Sequence, residues 1–260
     1  MRLRAKISAI GGYLPSQVLS NRDLESMVDT SDDWIVKRTG IRERRIEGEQ
    51  SKPSSYLATE SVKDLLNTYG SDLSDVGLVI CGTNTPDMIF PATATKVAHD
   101  VGALRAGCFD LQAACAGFVY ALAIGSQCIA SGVYQKVLVL GVDKMSSCVD
   151  YGNRKTCILF GDAAGSVLLE PEPSGKTGVI DSILYSDGSK QSHLCIPAGG
   201  SLRPTTQETL NDKGHFIYQD GSIVFKEAVN KMSEVCQEMM DRHHLLTHLT
   251  HLINSLFEHN

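Results

Sequence analysis

The sequence lacks several features that would assign it to a familiar functional class. None of its eight cysteines forms a CxxC pair, which argues against a zinc ribbon or a dithiol redox motif. No apolar run reaches the length needed to span a membrane, and Lys6 with Gly11 and Gly12 interrupts any signal-peptide core near the N-terminus. We therefore expect a soluble protein of a reducing compartment, most simply the cytoplasm.

Basic residues are also scarce relative to acidic ones. There are 24 Lys and Arg against 30 Asp and Glu, a formal net charge of −6. This balance argues against a general affinity for nucleic acid or anionic membranes and leaves Arg42–Arg45 as the clearest basic cluster. With 260 residues, 42% of them hydrophobic, the chain can form one large domain or two small ones with a sizeable core.

The middle of the chain alternates short apolar runs with helical segments. Val76–Cys81, Cys108–Leu111 and Lys136–Val142 are predicted strands, and Thr93–Asp100 and Ala116–Ser131 are predicted helices between them. Strands that are apolar throughout are typical of parallel pairing beneath helices on both faces. The predicted fold class is α/β, with mixed, largely parallel sheets.

The flanking segments predict further elements. These are strands at Arg4–Ile10, Val167–Leu169 and Gly178–Leu184, and helices at Arg22–Val28 capped by Asn21, Asp32–Arg38 capped by Ser31 or Thr30, Pro53–Gly70, and Ile223–Arg242. The last helix is expected to turn its apolar residues inward: Val224, Phe225, Val229, Met232 and Val235.

Cys115 is distinguished by its place at a strand-to-helix junction. The segment Phe109–Phe118 leads from a strand into a tight turn, and Cys115 falls in the first turn of the next helix. Unpaired backbone N–H groups there point at the sulfur, and the helix dipole favours the thiolate. The small neighbouring residues fit a reacting thiol in a narrow channel. They equally fit a buried cysteine that packs as a small hydrophobe, so spacing alone leaves both interpretations open.

This segment resembles the nucleophile region of the 3-ketoacyl-acyl-carrier-protein synthase III family, within the thiolase superfamily. Three further segments resemble the same family in the same order. Thr30–Arg44 is similar to its N-terminal signature, Phe160–Gly165 to its glycine-rich segment, and Gly221–Lys226 to the start of its second-half helix. The resemblance runs from about Arg4 to Ile253.

The resemblance implies a thiolase-like layered fold in two halves, 1–170 with the nucleophile and 171–260 as an incomplete second half. It implies an acyltransferase that initiates fatty-acid biosynthesis with no cofactor beyond its coenzyme A thioester substrate. In this family the cysteine accepts an acyl group from acyl-coenzyme A, with acetyl expected here. It then condenses that group with malonyl-acyl-carrier-protein, with loss of carbon dioxide. A homodimer is also implied, with an interface near Phe90 and the Cys108 strand.

The resemblance also implies roles for individual residues. Cys115 would be the nucleophile, and its backbone N–H would hold the thioester oxyanion. The other implied site residues are Trp34, Arg38, Arg154 and Thr30 at the adenine end of coenzyme A, Gly221 and Phe225 along the pantetheine tunnel, and Phe90 over the acyl pocket. Each also has a purely structural interpretation, with Trp34 and Phe225 as core aromatics and Arg38 as a solvated helix residue.

The sequence departs from the family after Leu252–Ile253. The family continues there with a Pro-His-Gln-Ala-Asn motif, whose His acts with a later Asn to stabilise charge on the malonyl thioester oxygen. Ser255 stands at the position of that His, and the later Asn segment has no counterpart in the sequence. Loss of one such donor typically costs orders of magnitude in rate. We therefore expect acyl loading to survive and condensation to be severely impaired. His259 and Asn260 have the needed side chains in the wrong context.

The histidines near the end of the sequence suggest a metal site as an alternative. His244, His248 and His251 are spaced i, i+4, i+7 and would share one face of a continuous helix. The strand-like Leu252–Ile253 predicts that the helix ends before His251, which favours a solvated helix end and no metal site.

Two other functional hypotheses remain open. One is a polyketide-type synthase of the same fold, which the Trp34 and Arg38 signature disfavours. The other is a non-catalytic fragment or pseudo-enzyme that at most binds thioesters or partners. Acetylation of Cys115 by acetyl-coenzyme A would distinguish an enzyme from the second of these.

Overall fold

The computed structural model describes residues 3–48 and 52–245. They form two compact units, which divide between Ser182 and Ile183. The boundary at 170/171 that the family resemblance implies between two halves of the fold stays a prediction. No helix in the described part of the chain is long and apolar enough to cross a membrane.

The first unit contains most of the regular structure. In chain order its elements are β1 (Arg4–Tyr13), β2 (Gln17–Ser20), α1 (Asn21–Glu25), α2 (Asp32–Thr39), β3 (Glu43–Ile46), α3 (Ser54–Tyr69), β4 (Leu78–Gly82), α4 (Thr93–Asp100), β5 (Gly107–Leu111), α5 (Gly117–Ala130), β6 (Val137–Lys144) and β7 (Asp162–Glu172).

A five-stranded sheet with the order β1-β7-β6-β4-β5 forms the centre of this unit. Strand β4 runs parallel to both neighbours, with Ile80 level with Phe109 of β5 and Val139 of β6. Strand β7 runs antiparallel to β6 and to β1. The predicted α/β class with a mixed sheet is confirmed. The parallel strands all end at the same edge of the sheet, where Cys115 follows β5.

The apolar strands are explained by burial on both faces of the sheet. On one face Val79 and Cys81 of β4 pack with residues of α3 and α4, including Leu57 and Val97. On the other face Leu78 and Ile80 pack with Ala121 and Ile129 of α5. Because successive strand residues point to opposite faces, both sets must be apolar, and the alternation expected of a half-exposed strand is lost.

Local signals fix both ends of α2. Ser31 caps α2 by accepting a hydrogen bond from the Trp34 N–H, and Gly40 ends the helix with a φ of 71°. The predicted cap of α1 was wrong by one residue. Ser20 is the cap, and Asn21 is a buried helix residue whose amide donates to Asp32 and to the Ile41 carbonyl.

The second unit has less regular structure. Its elements are β8 (Leu194–Cys195), α6 (Gln207–Asn211), β9 (Tyr218–Gln219) and α7 (Gly221–Arg242), with β8 and β9 paired antiparallel. Within it, the Tyr185 hydroxyl donates to Glu238 at 2.7 Å, and Lys190 forms an ion pair with Glu227 at 2.6 Å. Both contacts connect α7 with the segment before β8.

Two sequence predictions for this region were wrong. Residues 178–184 form no strand. Gly178 has a φ of 103°, and Val179 makes a single backbone hydrogen bond to Ala5. The φ of Gly178 lies outside the range of β-strands, so the predicted strand cannot begin at this residue.

The expected inward face of α7 was wrong for three of its five residues. Phe225, Val229 and Met232 are exposed by 71%, 48% and 68%, because no described layer of the second unit covers this face. Val224 and Val235, which are partly buried, line a groove with Tyr185 and Leu194 instead.

Candidate active site

Cys115 lies in a short 3-10 turn, Ala114–Ala116, between the end of β5 and the start of α5. Its side chain is exposed, which excludes the interpretation as a buried hydrophobe. Among the described residues, no side chain caps the first turn of α5, whose backbone N–H groups point out of the helix end beside Cys115. Such a helix end favours negative charge, as a nucleophilic sulfur requires.

The residue before Cys115 has an unusual backbone. Ala114 has a φ of 47°, in the left-handed region that residues with a Cβ seldom occupy. Its carbonyl oxygen accepts two hydrogen bonds, one from the Gly117 N–H and one from the Asn84 side-chain amide at 3.3 Å. These two hydrogen bonds stabilise the left-handed conformation of Ala114, which would be unfavourable in an isolated peptide.

A cavity of about 490 Å³ opens beside Cys115. Glycines make up a large part of its wall: Gly11, Gly82, Gly117, Gly141, Gly161 and Gly165. Gly82 is essential to this arrangement, because a Cβ there would lie 2.6 Å from the Gly117 carbonyl carbon. The missing side chain lets the start of α5 rest directly on the end of β4.

Several thiols packed around the sheet are in surroundings that disfavour their ionised form. Burial raises the pKa of Cys81 well above its ordinary value, and burial also raises the pKa of Cys108, Cys128 and Cys157. For Cys148, burial and then the nearby Asp143 and Asp162 carboxylates raise the pKa to about 11. Thiols in such surroundings remain protonated and are poor nucleophiles.

A second group of predicted site residues lies around Trp34 of α2. The guanidinium carbon of Arg154 lies 4.1 Å from the centroid of the Trp34 ring, and that of Arg38 lies 5.2 Å from it. Among the described residues, neither the Thr30 hydroxyl nor the Arg154 Nε, both buried, has a hydrogen-bond partner. Arg38 and Arg154 therefore place two guanidinium groups against the Trp34 ring, and Thr30 precedes the helix that carries Trp34 and Arg38.

Buried Arg44 links the two segments that carry this group. Its guanidinium donates to the Ile158 carbonyl and to the Asn21 side chain, and only 4% of the residue is exposed. Within the basic cluster Arg42–Arg45, the Arg44 side chain is therefore not available to an external ligand. That side chain joins the region of α2 with the loop that contains Arg154.

The remaining predicted residues are placed separately. Phe90 lies in an exposed apolar stretch with Met88 and Ile89 and is itself 82% exposed. Gly221 and Phe225 lie in the second unit, at the first residue and in the first turns of α7, and both are exposed there. Their proposed positions along a tunnel stay predictions.

The histidine spacing does not place three ligands on one described helix. Helix α7 ends at Arg242, and His244 follows it with a φ of 55°. His248, His251, Ser255, His259 and Asn260 lie outside the described residues. Within residues 3–48 and 52–245, no three His, Cys, Asp or Glu side chains are grouped as metal ligands.

Two site residues escaped the sequence interpretation. Asn84 follows β4 and Asp143 lies near the end of β6. Parallel strands bring residues after their carboxyl ends to one edge of a sheet, which was the available signal. Asp143 lines the cavity beside Cys115, and Asn84 contacts the turn that contains Cys115.

Comparison with known proteins agrees with this geometry. Residues 109–188 match the model of the 3-oxoacyl-[acyl-carrier-protein (ACP)] synthase III family. The chain is 49% identical over 244 residues to a beta-ketoacyl-[acyl-carrier-protein] synthase III of Chlorobium phaeobacteroides, covering 94% of this chain and 74% of that protein. For the enzyme of that name from Porphyromonas gingivalis, identity is 46% and the coverages are 94% and 72%.

The fold is similar to a solved structure of the same kind. The crystal structure of the 3-oxoacyl-(acyl carrier protein) synthase III of Pseudomonas aeruginosa matches with a TM-score of 0.81 and 36% identity. The match covers 92% of this chain and 71% of that one.

The contrast among the thiols predicts selective alkylation. At pH 8, raising a thiol pKa from 9.0 to about 11 lowers its thiolate fraction about a hundredfold, so Cys148 is expected to stay unmodified by iodoacetamide. Exposed Cys115 and Cys236 are expected to react first. Peptide mapping by mass spectrometry after timed alkylation measures this order, and early labelling of Cys81 or Cys148 in the folded protein would contradict it.

Proposed function

Because the chain belongs to the 3-oxoacyl-[acyl-carrier-protein] synthase III family, we propose that it initiates fatty-acid synthesis from a coenzyme A thioester, expected to be acetyl-coenzyme A. Cys115 accepts the acyl group, which is then condensed with malonyl-acyl-carrier-protein. The observation that carries the proposal is the exposure of Cys115 at the start of α5, beside an open cavity, while Cys81, Cys148 and Cys157 of the same unit are buried.

The first step is a thioester exchange. The Cys115 thiolate attacks the acyl carbonyl of the coenzyme A thioester, and the backbone N–H of Cys115 is proposed to hold the oxyanion that forms. The carbon–sulfur bond to coenzyme A then breaks, and the released thiolate takes up a proton. Every group assigned to this chemistry lies in the first unit.

The second step makes a different demand on the protein. Malonyl-acyl-carrier-protein loses carbon dioxide, and the resulting carbanion attacks the acyl-cysteine, so that the Cys115 thiolate leaves. The thioester oxygen of the malonyl unit carries negative charge during decarboxylation and needs hydrogen-bond donors. The family resemblance assigns Ser255 to the position of the family's His, and we therefore propose that this step is much slower than loading.

Trp34, Arg38, Arg154 and Thr30 are proposed to hold the adenine end of coenzyme A. An indole flanked by guanidinium groups can stack on a flat base and attract its phosphates. The proposal is supported by the short Arg154–Trp34 contact and by the buried polar atoms of Thr30 and Arg154 that lack partners among the described residues.

We also propose that the protein acts as a cytoplasmic homodimer with Phe90 over a partner's acyl pocket. Support for an interface comes from Ile89 and Phe90, which expose 89% and 82% of their surface. Strand β5 adds a sheet edge that pairs only with β4 in the described part of the chain. The free thiols of all eight cysteines fit a reducing compartment.

Acyl loading predicts a specific covalent product. Incubation with acetyl-coenzyme A is expected to add one acetyl group, which peptide mapping places on Cys115. Cys115→Ser should abolish this product, whereas Cys236→Ser removes the exposed thiol of α7 and should not change it. Acetylation that persists in Cys115→Ser, or that never occurs in the unaltered chain, would contradict the proposal.

The same preparation separates the two steps. After malonyl-acyl-carrier-protein is added, acetyl-Cys115 is expected to be consumed about a hundredfold more slowly than it forms. Equal rates of loading and condensation would show that the protein supplies the missing donor from another residue.

The proposed adenine site around Trp34 predicts that coenzyme A binding can be followed by tryptophan fluorescence. Because Trp34 is the only tryptophan, stacking of adenine on its ring should quench the protein's fluorescence as coenzyme A is titrated. Arg154→Ala is expected to weaken binding about tenfold, since it removes both a charge and the group over the indole. Lys155→Ala removes an equal charge next to it and should change the Kd less than about twofold. Equal effects of the two variants would show that only net charge matters.

A further inference from the structure

Asp143 holds the loop that follows β4. One carboxylate oxygen, Oδ1, accepts the backbone N–H of Asn84 at 2.7 Å, and the other, Oδ2, accepts the Asn84 side-chain amide at 3.1 Å. The hydroxyl groups of Thr83 and Thr85 also donate to Oδ1, at 3.4 and 3.3 Å. Asp143 thereby fixes both the backbone and the side chain of Asn84.

Asn84 passes this constraint to the nucleophile turn. A side-chain amide has two N–H donors. The Asn84 amide donates to Asp143 and, at 3.3 Å, to the Ala114 carbonyl. Ala114 is the residue with left-handed backbone immediately before Cys115. Asp143 and Asn84 therefore connect the ends of two parallel strands to the strained residue next to the sulfur.

Thr85 bonds to the same Asp143 carboxylate but, in the described part of the chain, makes no hydrogen bond with the nucleophile turn, so it serves as the structural control. Its hydroxyl donates to Asp143 and accepts the Lys144 N–H at 2.7 Å. It has no hydrogen bond to the turn around Cys115 among the contacts of the described residues. Loss of Thr85 should weaken the loop, whereas loss of Asn84 should weaken the loop and also release Ala114.

We propose that Asn84, oriented by Asp143, is a positioning residue for Cys115. It stabilises the left-handed conformation of Ala114, which keeps the sulfur at the start of α5 and in the cavity. The inference rests on the proposed role of Cys115 as acyl acceptor. The Asn84 side chain acts through the backbone of the nucleophile turn, and it needs no contact with coenzyme A.

The test compares four variants with the unaltered chain. Asn84→Ala removes both donors, Asn84→Asp replaces the donor by a carboxylate, and Thr85→Val is the matched structural control. The double variant Asn84→Asp with Asp143→Asn reverses the polarity of the side-chain pair, so the two side chains can still bond to each other. It leaves no donor for the Ala114 carbonyl.

Three quantities are measured for each: the maximal rate and half-saturating concentration of acetyl-coenzyme A in Cys115 acetylation, and the thermal unfolding midpoint. Asn84→Ala and Asn84→Asp are expected to lower the maximal rate about tenfold or more, with unchanged half-saturation, because one hydrogen bond to the turn is lost. Thr85→Val should lower the midpoint and keep the rate within about twofold. The double variant should regain the unfolding midpoint that Asn84→Asp loses, but its maximal rate should stay as low as that of Asn84→Asp.

Recovery of both rate and midpoint in the double variant would overturn the proposal, as would wild-type rates in a folded Asn84→Ala. The ratio of Cys115 to Cys236 alkylation by iodoacetamide tests the same point without any acyl donor. It should fall at least threefold or so in both single Asn84 variants. If the unaltered chain is not acetylated but this ratio falls, the proposed function fails and the positioning role stands. An unchanged ratio in folded Asn84 variants would overturn the positioning role itself.

Discussion

The close approach of Gly82 and Gly117 is the constraint on which the candidate site depends. A Cβ on Gly82 would lie within 2.6–2.7 Å of the Gly117 carbonyl group, so only glycine allows the start of α5 to touch the end of β4. This contact places the 3-10 turn with Cys115 directly above the carboxyl ends of the parallel strands. The cavity, the exposed sulfur and the path to the turn from Asn84 all follow from that position. A wider separation would move α5 away from the groups that fix its first turn.

Hydrogen bonds then convert this contact into a defined geometry. The Ala114 carbonyl is held from two sides, by Gly117 and by Asn84, which offsets the cost of a left-handed residue with a side chain, about 1–2 kcal/mol. At the N-terminal side of the unit, Arg44 has a comparable role, since its buried guanidinium joins Asn21 to the Ile158 carbonyl. In both places a polar side chain connects segments that are far apart in sequence, and the exposed reactive or binding groups lie next to the segments it joins.

Features of the fold and of the site could be predicted from the sequence where their causes lie close together along the chain, and not where they depend on contacts between distant residues. Strands β4 and β6, the cap at Ser31 and the turn at Cys115 were predicted because their causes are local: continuous apolar runs, a capping hydroxyl, and a cysteine between a strand and a helix. The grouping of Trp34, Arg38 and Arg154 came from the family resemblance, since nothing in their spacing indicates it. Asn84 and Asp143 were missed because only the order of strands in the sheet brings them to Ala114. The burial of Arg44 could not be predicted because its partner, the Ile158 carbonyl, is 114 residues away in sequence.

The most direct measurement of the central claim is the rate of Cys115 acetylation in a Gly82→Ala variant, with Gly107→Ala as its control. Both replace a glycine at one end of a neighbouring parallel strand, but a Cβ on Gly107 would meet its nearest atom at an ordinary 3.7 Å. The account predicts that Gly82→Ala lowers the rate at least tenfold or so while circular dichroism shows a folded chain, and that Gly107→Ala leaves the rate within about twofold. A folded Gly82→Ala protein that is acetylated at the unaltered rate would contradict the account.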